Sequence, residues 1–278
     1  MNSMQIKDKL KNIAKEKNIE FNILLKFYAF DRFILRLSKS KYADNFIIKG
    51  GFLLSKFFGL ENRSTMDIDS ALNNFDLTKE NIIKTISEII KIDLNDNVIF
   101  EFNDITSIRE EDEYGGFRVH LTFKLDKIKE LLKFDIATGD PITPSAITFN
   151  YNSLLDGEKI KIWAYNIETI LAEKLESIFS KLETSSRMKD YYDLYLIYKL
   201  CWNKINKINL LNAIKNTFNY RNFNIDFVKV LAVINNSLIL RTRWKSYSRK
   251  HNYAKDIAFE DTIKSINDIV NDLFLIKI

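Results

Sequence analysis

In Ile48-Lys49-Gly50-Gly51-Phe52 the glycine pair is followed, after fifteen intervening residues, by Asp67-Ile68-Asp69, the stretch from which the fold can be read. Phe46-Ile47-Ile48 is a short apolar run of the kind found in buried strands, and it stops at the glycine pair. Phe52 to Gly59 has the pattern of a helix, with Gly59 as its C-terminal cap. Asp67 to Leu72 is a second apparent strand. The order is thus strand, glycine pair, helix, then two acids on the next strand.

That order has chemical content. A strand's two-residue period points the carboxylates of Asp67 and Asp69 to the same face. Carboxylates that close repel, and a shared proton, a basic partner or a divalent cation would offset the repulsion. Oxygen-only ligands suit Mg²⁺ or Mn²⁺, which also accept phosphate oxygens. A third acid, Asp135, lies on the apolar strand Leu131 to Ala137, where burial demands a partner. If that strand lies beside the first, three carboxylates can hold metal for phosphoryl transfer, one acid orienting the attacking hydroxyl. The bland alternative is a pair of solvated surface acids. Gly50 and Gly51 at a helix start leave backbone amides open to a phosphate group, although tight packing alone also explains such a pair.

Working outward, residues 5–17 and 20–38 read as helices, the second carrying Ile23, Leu24, Phe27, Phe30, Ile34 and Leu37 on one face. Residues 79–91 form an amphipathic helix. Residues 98–108 and 117–125 alternate as a hairpin whose turn is expected at Glu113-Tyr114-Gly115-Gly116. Weaker strands are expected at 147–151 and 159–163, and helices at 166–183, 188–200, 206–218, 225–238 and 256–276. The expected architecture is α/β (α+β): a mixed sheet flanked by helices over residues 1–165, then a helical domain over 166–278.

Composition narrows the chemistry further. A single cysteine, Cys201, excludes an intramolecular disulfide framework and multi-cysteine metal sites, and His120 and His251 have no zinc-ligand spacing. No apolar run approaches the roughly 20 residues needed to cross a bilayer, and the first residues lack a signal peptide's apolar core, so a cytoplasmic, membrane-free location is expected. Cys201 and His120 read as structural residues. The net charge of +5 is unevenly spread, with six Lys/Arg and no acid over residues 241–255. There Arg241, Arg243, Lys245, Arg249, Lys250 and Lys255 interleave with Trp244, Tyr247 and Tyr253. Such a segment can neutralise phosphates and stack unpaired bases, or be a solvated face whose aromatics pack inward.

Three segments together resemble the AbiEii/AbiGii-type toxin nucleotidyltransferases of the polymerase-β-like superfamily. They are Ile48 to Phe52 with Arg63 to Asp69; Phe134-Asp135-Ile136-Ala137-Thr138-Gly139-Asp140-Pro141; and Glu168 to Leu175 with Arg187 to Leu194. Trp244 in its basic segment also fits. The family often carries Gly-Ser or Gly-Thr where this chain has Gly50-Gly51. The resemblance implies a polymerase-β-like fold and a Mg²⁺-dependent transfer of a nucleoside monophosphate from a nucleoside triphosphate to a hydroxyl. It assigns the site lysine to Lys174 and its partnering acid to Asp190, with Asp193 competing. Arg187 joins the nucleotide-binding set, and the helical half is expected to close over the nucleotide. Relatives imply a transfer-RNA acceptor end as recipient, a toxin–antitoxin or abortive-infection role, and a separate antitoxin. A protein hydroxyl as acceptor, and an inert binding module of the same fold, are the competing functions.

Overall fold

A computed structural model describes residues 1–108, 115–224 and 226–276. The expected turn residues Glu113 and Tyr114, and Ile225 of the expected helix 225–238, lie outside the described residues. The chain divides into two compact units, Met1–Gly139 with Ile147–Ala164, and Asp140–Ala146 with Tyr165–Ile278.

The first unit opens with α1 (Ser3–Glu16) and α2 (Phe21–Ser38). Then come β1 (Phe46–Lys49), α3 (Gly50–Phe58), β2 (Ile68–Leu72) and α4 (Lys79–Ile90). The strands β3 (Val98–Ile108), β4 (Gly116–Leu125), β5 (Ile128–Ala137), β6 (Ile147–Asn152) and β7 (Lys159–Ala164) complete it. They form one mixed seven-stranded sheet in the order β3-β4-β5-β2-β1-β7-β6. β2 is antiparallel to β1 and parallel to β5, and β1 is parallel to β7. The β4–β5 connection is tighter than the sequence reading allowed, with Asp126 at φ +53° in the turn.

α2 is buried along almost its whole length, beyond the single face its apolar periodicity indicates. One side packs aromatic rings against the sheet, Phe33 lying 5.1 Å from Phe134 and 6.0 Å from Phe100. Its charged residues are buried too, and each has a partner. Arg36 donates to both carboxylate oxygens of Asp96 at 2.9 and 2.8 Å, Arg32 meets Asp156 at 2.9 Å, and Asp31 meets Lys56 at 2.6 Å. Burial of unpaired charge would be prohibitive, so these bridges let a polar helix run through the core and tie it to the loops after α4 and β6.

The sheet has two unlike faces. Val119, Leu121, Phe123 and Leu125 of β4, with Leu132, Phe134 and Ile136 of β5, are buried on the α2 side. Arg118, His120, Thr122 and Lys124 alternate to the other face, as do Leu131, Lys133 and Asp135.

The second unit contains α5 (Ile167–Lys181), α6 (Met188–Cys201), α7 (Lys207–Tyr220), α8 (Phe227–Asn236), α9 (Leu238–Lys250) and α10 (Phe259–Ile276). Asn166 caps α5, accepting from the Thr169 amide at 2.7 Å. The 140–146 segment joins this unit because Asn166 and Thr169 donate side-chain hydrogen bonds to the Thr143 carbonyl, at 2.9 and 3.1 Å. Residues 239–250, not assigned to a helix from sequence, belong to α9. Ser237 separates it from α8 and caps it by accepting from the Leu240 amide. Among the described residues, no helix is long and apolar enough to cross a membrane.

Candidate active site

Gly50 stands at the junction of β1 and α3 with φ +69°, a left-handed conformation that glycine adopts without penalty. A Cβ placed there would lie 2.2 Å from Asp69 Oδ2, so the missing side chain is what admits the carboxylate. At Gly51 a Cβ would lie 2.8 Å from Thr65 Oγ1 and 3.1 Å from a terminal nitrogen of Arg63. The glycine pair therefore opens the space into which Asp69, Thr65 and Arg63 pack. The opening turn of α3 lies against the acid.

β2 begins at Ile68, which leaves Asp67 just ahead of the strand. Its carboxylate is held by Thr65, whose hydroxyl donates to Oδ1 at 2.7 Å. Asp69 is the register partner of Asp135 on β5, so the two acids stand on adjacent strands and one face. Asp135 in turn is the register partner of Arg118 on β4. Arg118 donates from Nε and a terminal nitrogen to the two oxygens of Asp135, both at 2.7 Å. This bidentate pairing with Asp135, reinforced by the charges of Asp67 and Asp69, raises the arginine's pKa.

The structure thus brings Asp69 and Asp135 side by side and turns Asp135 toward an arginine. Among the described residues, no three His, Cys, Asp or Glu side chains converge closely enough to hold a metal ion. The donor chemistry is nonetheless that of a hard divalent cation: oxygen ligands only, and three carboxylates whose charge one cation already feels. Arg118 and Thr65 are the site residues that sequence reasoning missed. Alternation of Phe117, Val119 and Leu121 placed Arg118 on the open face, but only the pairing of β4 with β5 sets it against Asp135.

In the second unit, Lys174 of α5 is almost buried, its side chain 10% exposed. Its ammonium donates to Asp190 at 2.9 Å and to Asp193 at 2.5 Å, so both candidate acids on α6 hold it. Ser177 donates to the second oxygen of Asp190 at 3.2 Å, and Arg187 pairs with that acid at 2.9 Å. Burial alone would raise the Asp190 pKa, but the charges of Lys174 and Arg187 outweigh it and hold the acid at about 2. The helical spacing explains the clamp: Asp190 and Asp193 are three apart and share one face of α6.

Asp140, five residues beyond Asp135, belongs to this second unit and pairs with Arg221 at 3.1 Å. Glu173 and Glu176 pair with the same guanidinium. Burial works against the arginine's charge, but these three acids raise its pKa.

The basic segment divides into core and surface. Trp244 is buried, its indole N–H donating to the Ile257 carbonyl at 2.9 Å, so its ring packs inward. Arg243 donates to the Ser185 carbonyl at 2.8 Å and to that of Glu183, which secures the loop leading to Arg187. Arg241 pairs with Glu260. Lys245, Arg249, Lys250 and Lys255 are exposed. Tyr247, His251 and Tyr253 form a half-buried ring cluster, with His251 4.4 Å from Tyr247 and 5.2 Å from Tyr253. His120 pairs with Asp104 at 2.5 Å, and Cys201 donates to the Ile197 carbonyl at 3.2 Å, its thiol pKa raised by burial.

Comparison with known proteins agrees with this architecture. JHP933 from Helicobacter pylori is similar at 18% identity and a TM-score of 0.55, covering 90% of this chain and 91% of its own. A "putative nucleotidyltransferase" from the same organism is similar at 18% identity and a TM-score of 0.52, covering 92% and 96%. At that identity the likeness shows the fold. No curated protein matches the chain. The family model for the nucleotidyl transferase AbiEii toxin of type IV toxin–antitoxin systems matches residues 32–265, which takes in β1, the acids of β2 and β5, Lys174, Asp190 and Trp244. The chain belongs to the AbiEii nucleotidyltransferase toxin family.

Proposed function

We propose that this protein moves a nucleoside monophosphate from a nucleoside triphosphate to an acceptor hydroxyl, a transfer-RNA 3′ end, and acts as a toxin countered by a separate antitoxin. The observation that carries the chemistry is the register of Asp69 with Asp135 beside the Gly50-Gly51 turn. The acceptor oxygen bonds to the α-phosphorus, the α–β phosphoanhydride bond breaks, and pyrophosphate leaves with the bonding electrons. A carboxylate of this row orients the acceptor hydroxyl and takes its proton.

Asp67, Asp69 and Asp135 are the residues that would hold Mg²⁺ or Mn²⁺. When bound, the cation neutralises triphosphate charge and lowers the barrier to in-line displacement. Thr65 keeps Asp67 oriented through its hydroxyl. The start of α3 at Gly50-Gly51 offers backbone N–H groups suited to phosphate oxygens. Within the second unit, Asp190 and Asp193 fix Lys174, the lysine to which the resemblance assigns a functional role, and Arg187 flanks the same acid. The exposed cations Lys245, Arg249, Lys250 and Lys255 are suited to an RNA backbone. The family membership supports the toxin role, and the acceptor rests on the resemblance noted from sequence.

Purified protein incubated with Mg²⁺, total RNA and each labelled triphosphate in turn tests this directly. Label should enter small RNA with at least one triphosphate and disappear in Asp69→Ala. Label in protein bands instead would move the acceptor to a protein hydroxyl. No label anywhere, with a folded protein, would leave only a binding module.

A further inference from the structure

Four charged residues form one straight line across the sheet. Lys49 on β1 is in register with Asp69 on β2, Asp69 with Asp135 on β5, and Asp135 with Arg118 on β4. The row reads cation, anion, anion, cation over four neighbouring strands. In-register side chains on adjacent strands lie about 5 Å apart, so each member of the row acts on the next.

Two features make the Arg118 end special. Its guanidinium engages both oxygens of Asp135 at once, at 2.7 Å each, a geometry that a lysine cannot reproduce. Lys49 is buried, whereas the Arg118 side chain is 35% exposed.

We propose that Arg118 is a positioning residue that sets the divalent-cation affinity of the carboxylate row by competing with the cation for Asp135. This rests on the reading of Asp67, Asp69 and Asp135 as cation ligands. A carboxylate whose two oxygens are both committed to a guanidinium has fewer lone pairs for a metal, and a fixed positive charge nearby opposes a second one. The exchange of Arg118 for a cation at Asp135 keeps the row near charge balance.

The test is Mn²⁺ binding without nucleotide, followed by electron paramagnetic resonance of the free ion and by calorimetry, on wild type, Arg118→Gln, Arg118→Lys and Asp69→Asn. Arg118→Gln should bind Mn²⁺ roughly tenfold more tightly, because a full charge is removed from the ligand group. Arg118→Lys retains the charge but frees one Asp135 oxygen, and should bind about twofold to threefold more tightly while turnover falls. Unchanged or weaker Mn²⁺ binding by a folded Arg118→Gln overturns the proposal. If that variant does not fold, unchanged binding by Arg118→Lys overturns it. Asp69→Asn separates the two ideas. Wild-type Mn²⁺ affinity in that variant would remove the carboxylate reading itself, whereas lost affinity there with unaltered Arg118 variants would remove only the competition.

Discussion

The hydroxyl of Thr65 lies 2.8 Å from the point where a side chain on Gly51 would begin, and it donates to Asp67 at 2.7 Å. A glycine at the start of α3 and a threonine ahead of β2 therefore share one small volume.

Thr65→Val should keep the fold and lower turnover by roughly tenfold or more, the expected effect of losing one hydrogen bond to a charged group. Gly51→Ser should be more damaging in the wild-type background than in Thr65→Ala, where the new side chain has space. Turnover with labelled triphosphate in the four variants checks this. Additive losses would show that the two positions do not share the space.

Gly50→Ala introduces two conflicts, a strained backbone at φ +69° and a Cβ 2.2 Å from Asp69 Oδ2. The backbone part alone costs about 1–2 kcal/mol. Displacement of Asp69 should abolish transfer, while thermal unfolding shows a folded protein of reduced Tm. Retained activity would mean that Asp69 is not needed in its present place.

Lys174→Met leaves Asp190 and Asp193 buried without their main counter-charge. Breaking a buried pair in this way costs about 3–5 kcal/mol. Urea unfolding should show a large drop that Lys174→Met combined with Asp193→Asn partly restores. A small effect on stability would indicate that the lysine is held loosely.

Acid should weaken the same clamp. The Asp190 pKa is held at about 2, below the ordinary aspartate value of 3.8. A carboxyl with a depressed folded pKa contributes stability above its unfolded pKa and loses it as pH falls through the folded one. The contribution, about 2 kcal/mol, should be complete above pH ~4 and fade towards pH ~2. Urea midpoints measured over that window should fall more steeply in wild type than in Asp190→Asn.

Trp244 and its cationic neighbours should separate cleanly by assay. Trp244→Ala removes a buried ring and should destabilise the protein by about 3–5 kcal/mol. Lys245→Ala with Arg249→Ala should leave Tm nearly unchanged and weaken RNA binding, with a shallower dependence on salt. RNA affinity unaffected by the charge removal would take α9 out of the interface.

Local chemistry made much of this legible beforehand. The glycine pair, the alternating acids and the apolar runs around them place β1, α3, β2 and β5 because hydrophobic period and backbone freedom are properties of neighbouring residues. The same logic put Lys174 and the acids of α6 on helices. It failed for residues 239–250, where a polar helix lacks the apolar stripe by which helices are recognised and Ser237 both ends α8 and starts α9. It also underrated α2, whose buried arginines look like surface residues until Asp96 and Asp156 meet them.

What the chain determines by itself is which side chains share a face and where backbone can turn, since both follow from covalent geometry over a few residues. Which faces meet was decided only on folding. Strand order set β5 between β2 and β4, so Asp135 has Asp69 on one side and Arg118 on the other. Electrostatic partnership depends on distances between strands that are far apart in sequence, and no local pattern encodes them.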